Sequence, residues 1–157
     1  MADAANNLAG LYLDQGKYSA AEASLRRALD IREKALGPDH PDVAESLNNL
    51  AALYRDEGNY TEAEPLLKRA LAISEKTGSD NADIASPLSN LANLYDGERK
   101  YEDAEALYRR ALGIYQKMLG PDHVAIVPVL NNLSMVYFEQ GKYADAEPLL
   151  KRALNIG

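Results

Sequence analysis

One eight-residue pattern is written four times along this chain at a nearly constant interval. It reads LNNLAALY from Leu47 to Tyr54, and related versions end at Tyr12, Tyr95 and Tyr137. Successive tyrosines are 42, 41 and 42 residues apart. A period in this range is typical of repeat proteins, in which each unit buries its apolar face against its neighbours. The chain is therefore predicted to be an array of about four repeats.

Each repeat carries two apolar patterns with helical spacing. In repeat two, Leu47 and Tyr54 share one stripe of an amphipathic helix, and Gly58 suits the position just past a helix because it readily adopts a positive φ. We predict helix A of this repeat over residues 41–57 and helix B over residues 60–77. Equivalent places in helix B hold the same residue in all four repeats. We interpret these as packing positions: Tyr18, Tyr60, Tyr101, Tyr143, Ala21, Ala63, Ala104, Ala146, Ala28, Ala70, Ala111 and Ala153.

The linkers between repeats carry signals that end one helix and start the next. A glycine ends helix B, and we expect the aspartate two residues later to accept hydrogen bonds from the first N–H groups of the next helix A. These aspartates are Asp39, Asp80 and Asp122. The two histidines, His40 and His123, lie in equivalent linkers, where we expect a role in starting the helix. Arg99 stands where other repeats have glycine, so a local departure is expected there.

Three further details concern the helices themselves. Helix B of repeat two lacks a counterpart of Leu36, so we expect that helix to be shorter or to stack differently. The four prolines at 65, 87, 128 and 148 are interpreted as markers of helix boundaries. Oppositely charged pairs four residues apart are expected to stabilise the exposed face of helix B. These pairs are Glu22 with Arg26, Glu64 with Lys68, Glu105 with Arg109, and Glu147 with Lys151.

The composition excludes several classes of function. The 157-residue chain has no cysteine, and its net charge is −7 with the basic residues spread along the repeats. Disulfides and thiolate chemistry are therefore excluded, and nucleic acid is disfavoured as a partner. No apolar run approaches the ~20 residues that span a membrane, so we expect a soluble, cytoplasmic protein without membrane association. Motifs for phosphate binding or an activated nucleophile are lacking. We therefore expect no catalytic activity, no cofactor and no metal site.

The order of large, small and aromatic residues resembles the tetratricopeptide (TPR) signature. In repeat two its positions are Leu47, Leu50, Ala51, Tyr54, Gly58, Tyr60, Ala63, Leu67 and Ala70. The period is longer than the usual TPR period of about 34, and this longer form is similar to the repeats of kinesin light chains and their bacterial relatives. The resemblance implies an all-α fold, a right-handed TPR superhelix (α-solenoid) of about four helix-turn-helix repeats and eight helices. We expect a single array over residues 1–157, with repeats of approximately 1–37, 38–78, 79–120 and 121–157 and with the first and last repeats truncated.

The resemblance also implies that the A helices line a concave groove. An asparagine side chain both donates and accepts hydrogen bonds, so a ladder of asparagines in this groove could hold the backbone of an extended peptide. Alternatively, these amides bridge adjacent repeats or stiffen the helices. The candidate groove residues are Asn6, Asn7, Asn48, Asn49, Ala52, Arg55, Ser89, Asn90, Asn93, Asn131, Asn132, Met135 and Phe138.

The function predicted from these observations is a non-catalytic scaffold for protein–protein interaction. Acidic residues towards one end of the groove favour a neutral to mildly basic peptide; they are Asp14, Asp56, Asp96 and Glu139. Met135 and Phe138 would receive apolar side chains of that peptide or pack against a neighbouring segment. The alternative function is a self-associating array, in which uncapped terminal helices stack end to end and form a homo-oligomer.

Overall fold

The structure, a computed structural model, describes residues 1–77 and 82–156. Over these residues the chain forms eight α-helices, one 3₁₀ turn and no strand. It divides into two compact units, residues 1–77 and 78–157, and each is described by itself. Unit 1 contains α1 (Ala2–Asp14), α2 (Tyr18–Leu36), α3 (Pro41–Asp56) and α4 (Tyr60–Thr77). Unit 2 contains α5 (Ala82–Gly97), α6 (Tyr101–Leu119), the 3₁₀ turn Val124–Ile126, α7 (Val127–Glu139) and α8 (Tyr143–Ile156).

Within each unit, every helix packs against the helix that follows it in sequence. The odd-numbered helices are the predicted A helices and the even-numbered ones are the B helices. In repeat two, the predicted helix A is confirmed to within one residue and helix B is confirmed as predicted. The prediction of one array over the whole chain, with the repeat boundaries given above, stays a prediction.

The core of each unit is built from the predicted apolar stripes. Leu47, Leu50, Ala51 and Tyr54 expose at most 5% of their surface. All eight alanines predicted to pack in helix B are likewise buried, which lets helix backbones approach closely. The interpretation as pure packing is wrong for Tyr18 and Tyr143, which are 49% and 61% exposed.

The turn from helix A to helix B needs one residue in the left-handed region. Gly16, Gly58 and Gly141 supply it with φ of 68°, 76° and 72°. Arg99 takes the same place in repeat three with φ of 60°, so the backbone keeps its path in a left-handed conformation that is unfavourable for a residue with a Cβ atom. The departure expected at this turn is therefore an energetic cost at Arg99 and not a change in the path of the backbone.

The linker histidines cap the next helical element, as expected: His40 caps α3, and His123 caps the 3₁₀ turn that precedes α7. His40 Nδ1 accepts from the N–H of Asp42 at 3.2 Å, and His123 Nδ1 accepts from the N–H of Ala125 at the same distance. The prediction for Asp39 is wrong, because the residue that directly precedes the helix reaches its second N–H group and Asp39 lies one residue too early. Asp39 instead pairs with Lys76 at 2.8 Å. Asp122 is likewise not a cap, and Asp80 lies outside the described residues.

Three of the four prolines lie inside helices, about one turn after the helix start where the sequence pattern places them, so they mark a boundary only to within one turn. Pro65, Pro87 and Pro148 are each the sixth residue of a helix, where a proline removes one backbone hydrogen bond. Only Pro128 lies at the boundary itself, at the start of α7. A 3₁₀ turn, Val124–Ile126, precedes α7, whereas α3 begins directly at the equivalent Pro41.

The remaining details agree with the sequence. Helix α4 has 18 residues where α2 and α6 have 19, as expected from the missing counterpart of Leu36. All four predicted ion pairs of helix B form, with nitrogen–oxygen distances of 2.6 to 2.9 Å. None of the described helices is long and apolar enough to cross a lipid bilayer.

Candidate functional site

In unit 1, the candidate residues lie on the faces of α1 and α3 that point away from the core. Asn7 and Asn49 are exposed, and neither side chain forms a hydrogen bond with the described residues. Asn48 and Ala52 are half-buried. Asn6 differs, because its Oδ1 atom is buried without a hydrogen-bond partner in the described chain. Arg55 is held by Asp56, with Nη2 and Oδ1 2.8 Å apart.

In unit 2, the structure brings two candidate amides together. Asn132 Nδ2 donates to Asn93 Oδ1 at 3.0 Å, which links the A helices α5 and α7. For this pair the structure thus shows the alternative role given above, in which the amides bridge adjacent repeats. The same Asn93 oxygen accepts a hydrogen bond from the hydroxyl of Tyr108, a fully buried residue of α6. The sequence interpretation missed Tyr108. Its signal is a tyrosine at a position where the other repeats have Leu25, Leu67 and Leu150.

The other candidate residues of unit 2 differ in how far their polar groups already interact within the chain. Ser89 donates its hydroxyl to the carbonyl of Ala85 at 2.9 Å, so that hydroxyl stabilises its own helix. Asn90 is half-buried and already takes part in interactions within the chain. Asn131 is exposed.

An exposed apolar patch continues along α7 from these amides. Met135 is 50% exposed and Phe138 is 53% exposed. The Phe138 ring packs edge-to-face against Tyr143, with centroids 5.3 Å apart. Asp96 and Glu139 lie near enough to each other to interact: partial burial, and then the charge of Glu139, raise the pKa of Asp96. This end of unit 2 therefore combines aromatic surface with negative charge.

Two equivalent clusters fix the A helices against the preceding B helices. In unit 1, the Tyr54 hydroxyl donates to Glu22 at 2.6 Å and accepts from Arg26 at 2.5 Å. The hydrogen bonds from Tyr54 and Arg26 lower the pKa of Glu22. The ion pairs interpreted as an exposed face of helix B thus also anchor the repeated tyrosine of the next helix A.

In unit 2, Tyr137 makes the same contacts with Glu105 and Arg109. Partial burial alone would raise the pKa of Glu105, but the hydrogen bonds from Tyr137 and Arg109 outweigh it and lower that pKa.

A buried arginine, which the sequence interpretation also missed, joins three helices of unit 1. Arg32 of α2 is 7% exposed. It donates to the carbonyl of Asp42 and to Ser46 of α3 at 2.9 and 3.0 Å, and it pairs with Asp3 of α1 at 2.9 Å. The sequence feature that could have indicated this role is an arginine at a position where repeats two and three have serine and tyrosine.

Paired helices with a fixed period, buried tyrosines and a repeated row of asparagines define a helical-repeat protein. Comparison with known families identifies the repeat family to which the chain belongs. The model of the tetratricopeptide repeat matches residues 1–76, 46–117 and 83–157. The chain belongs to the tetratricopeptide repeat family. The predicted fold class, an all-α TPR solenoid, is confirmed.

The solved structures that are similar to this chain include TPR proteins of the kinesin-light-chain type. BtubC (BKLC) from P. vanneervenii is similar over 99% of this chain and 62% of its own, with 28% identity and a TM-score of 0.87. A Podosopora anserina protein assigned as a kinesin light chain with nearly identical TPR-like repeats is similar over 99% of this chain and 74% of its own. Its identity is 26% and its TM-score is 0.79. The predicted resemblance to kinesin-light-chain-like repeats is thereby confirmed.

A curated relative matches a short stretch. Nephrocystin-3 of Xenopus laevis is 48% identical over 46 residues, which is 29% of this chain and 4% of that protein. The chain thus spans a small fraction of this relative and less than two thirds of BtubC. TPR repeats are in general scaffolds for protein–protein interaction, and this is the general role of the family to which the chain belongs.

Proposed function

We propose that the chain binds an extended peptide segment of a partner protein along the outer faces of its A helices. The observation that carries the proposal is the hydrogen-bonded pair of Asn93 and Asn132 in unit 2. Both residues are half-buried, and Tyr108, which donates to Asn93, is fully buried.

The pairing leaves Asn132 with unused hydrogen-bonding capacity. One of its two amide N–H groups is directed to Asn93, and its Oδ1 and second N–H remain for a ligand. A peptide backbone presents the complementary donor and acceptor at every residue. Because Asn132 is already held in one orientation, binding loses less side-chain entropy than it would with a free asparagine.

Unit 1 supplies less ordered partners of the same kind. Asn7 and Asn49 are exposed, and neither side chain forms a hydrogen bond with the residues that the structure describes. They therefore offer full amides to a peptide backbone, at the cost of ordering their side chains on binding. We expect them to bind peptide backbone within unit 1 by the same chemistry.

The charge of the surface indicates the class of peptide. The chain carries a net charge of −7, and Arg55, the main basic residue of the proposed surface, is paired with Asp56. A neutral to mildly basic peptide meets less repulsion here than an acidic one. The cytoplasmic location stays a prediction from the sequence.

A random-peptide display selection on the purified chain tests this function. It is run beside a variant with Asn7, Asn49, Asn90 and Asn132 changed to alanine, and beside a control with the exposed Asn59 and Asn155 changed to alanine. We expect enriched peptides that bind the unchanged chain and the control but not the fourfold variant, with helicity checked by circular dichroism. Equal binding by a folded fourfold variant would contradict the proposal.

A second candidate function, self-association end to end, is supported by the apolar surface of α8. Leu150 and Leu154 are 43% and 80% exposed. The residues at the same repeat positions in α2 are Leu25, which is 4% exposed, and Leu29, which packs on the apolar cluster that includes Leu47. Leu150 and Leu154 could be covered in the same way by α1 of a second copy, where Leu11 is exposed.

Sedimentation equilibrium separates the two functions. An assembled mass that rises with concentration, and that falls to the monomer when Leu154 is changed to serine, would support self-association. A monomeric mass at all concentrations would contradict self-association and would not bear on the proposed peptide binding.

A further inference from the structure

We propose that repeat four selects one short element of the bound peptide: an apolar side chain that packs on Met135, Phe138 and Tyr143, next to a lysine or arginine that pairs with Asp96 and Glu139. This inference rests on the proposed peptide-binding function and specifies the chemistry of the ligand.

The apolar part of the element follows from the exposed patch on α7. Phe138 and Tyr143 form an aromatic pair in which each residue exposes more than half of its surface, at 53% and 61%. Aromatic residues and methionine are the side chains that most often anchor partners at protein interfaces. Repeat four alone presents this pair, because repeats one to three have Leu13, Arg55 and Asp96 at the position of Phe138.

The patch lies within reach of the peptide that Asn132 would hold. Phe138 follows Asn132 by six residues, which is about 9 Å along the axis of α7 and about 120° around it, or about 12 Å in all. An extended peptide that crosses the helix obliquely covers that distance in about four residues. One bound segment can therefore contact both the amide pair and the aromatic pair.

The basic part of the element follows from the two carboxylates. Glu139 directly follows Phe138 and is exposed, and Asp96 holds the repeat position of Phe138 on the preceding A helix. The two carboxylates interact unfavourably, and neither has an ion-pair partner among the residues that the structure describes. The nearby Lys142 is directed elsewhere, with its Nζ 3.6 Å from Glu105. A cation brought by the peptide would relieve this repulsion.

Unit 1 indicates why a peptide, and not another helix of a repeat array, is the occupant. There α3 packs between α2 and α4, and its outward stripe is covered only in part: Ala52 is half-buried and Arg55 keeps 31% of its side chain exposed. Met135 and Phe138 occupy the same repeat positions as Ala52 and Arg55. We therefore expect that a further helix stacked on α8 would cover Leu150 and Leu154 and leave part of the α7 patch accessible to a peptide.

The test uses peptides enriched from the display selection on the full chain and measures their affinities by fluorescence anisotropy. One variant carries Phe138→Ala, and its matched control carries Met118→Ala, since Met118 is 48% exposed elsewhere on unit 2. A second variant carries Asp96→Asn with Glu139→Gln, and its control carries Glu102→Gln with Asp122→Asn. All four are checked by circular dichroism.

We expect the enriched peptides to share an apolar residue next to lysine or arginine. Phe138→Ala should weaken them about tenfold, as truncation of an interface anchor does. The loss of both carboxylates should weaken them about threefold at low salt and less at high salt. Both controls should bind like the unchanged chain.

The outcomes separate this inference from the proposed function. Peptides that need Asn132 but bind the Phe138→Ala variant unchanged, or that share no apolar and basic pair, would overturn the inference and leave peptide binding standing. A selection that enriches nothing would overturn both. If Phe138→Ala instead abolishes a dimer seen by sedimentation, the patch joins two copies of the chain and the inference is wrong.

Discussion

The Tyr54 cluster makes a quantitative prediction about how repeats are held in register. Changing Tyr54 to phenylalanine removes one hydroxyl that donates to Glu22 and accepts from Arg26. A hydrogen bond to a charged group contributes about 1.5–3 kcal/mol to stability. Water can replace part of this, because the Glu22 and Arg26 side chains remain 33% and 60% exposed. We therefore expect a loss of about 1–2 kcal/mol in the free energy of unfolding.

Urea denaturation followed by circular dichroism measures this loss. The matched control is Tyr18→Phe, which removes the hydroxyl of a half-exposed tyrosine in the same unit and should change stability by less than about 0.5 kcal/mol. A double-mutant cycle with Glu22→Gln should show a coupling of at least about 0.5 kcal/mol. Equal effects of the two tyrosine substitutions, or additive effects in the cycle, would refute the reasoning.

Three further predictions concern stability. Arg99→Gly should raise the free energy of unfolding by about 0.5–1 kcal/mol, because glycine adopts positive φ without strain; an unchanged or lower urea midpoint would contradict this. Arg32→Ala should lower it by about 2–3 kcal/mol, because the buried Ser46 hydroxyl and the Asp42 carbonyl lose their donor, whereas Arg27→Ala, at an exposed site on the same helix, should have little effect in the same assay. The lowered pKa values of Glu22 and Glu105 add stability that is present above the unfolded glutamate pKa of about 4.3 and is lost as pH falls through the folded values. Thermal unfolding from pH 6 to pH 3 should therefore show a smaller loss in Glu22→Gln than in the unchanged chain.

The helices and their buried faces could be predicted from the sequence because the same pattern of apolar residues recurs in all four repeats. The stripe containing Leu47 and Tyr54 and the helix-ending Gly58 follow from local spacing and backbone freedom alone. The caps were predicted less well, because Asp39 and His40 are both capable acceptors and only the path of the linker decides which one reaches the helix. Local sequence could not decide that path.

The sequence could predict which helix face carries the candidate site, but it could not predict the hydrogen bonds among the residues of that site. Helical periodicity placed Asn93 and Asn132 on the same side, but it could not show that their amides meet across two helices. That contact depends on Tyr108, whose hydroxyl reaches Asn93 from a third helix. The roles of Tyr54 and Arg32 were missed for the same reason, since both connect residues more than 25 positions apart.

The packing order within each unit also bears on how the chain folds. Each helix contacts mainly the helix before it and the helix after it in sequence. Contacts at such short separations need only small loops to close, and chains of low contact order fold rapidly. During synthesis, α1 and α2 can pair while α4 is still being made, so the apolar face of a nascent repeat is exposed only until the next helix emerges.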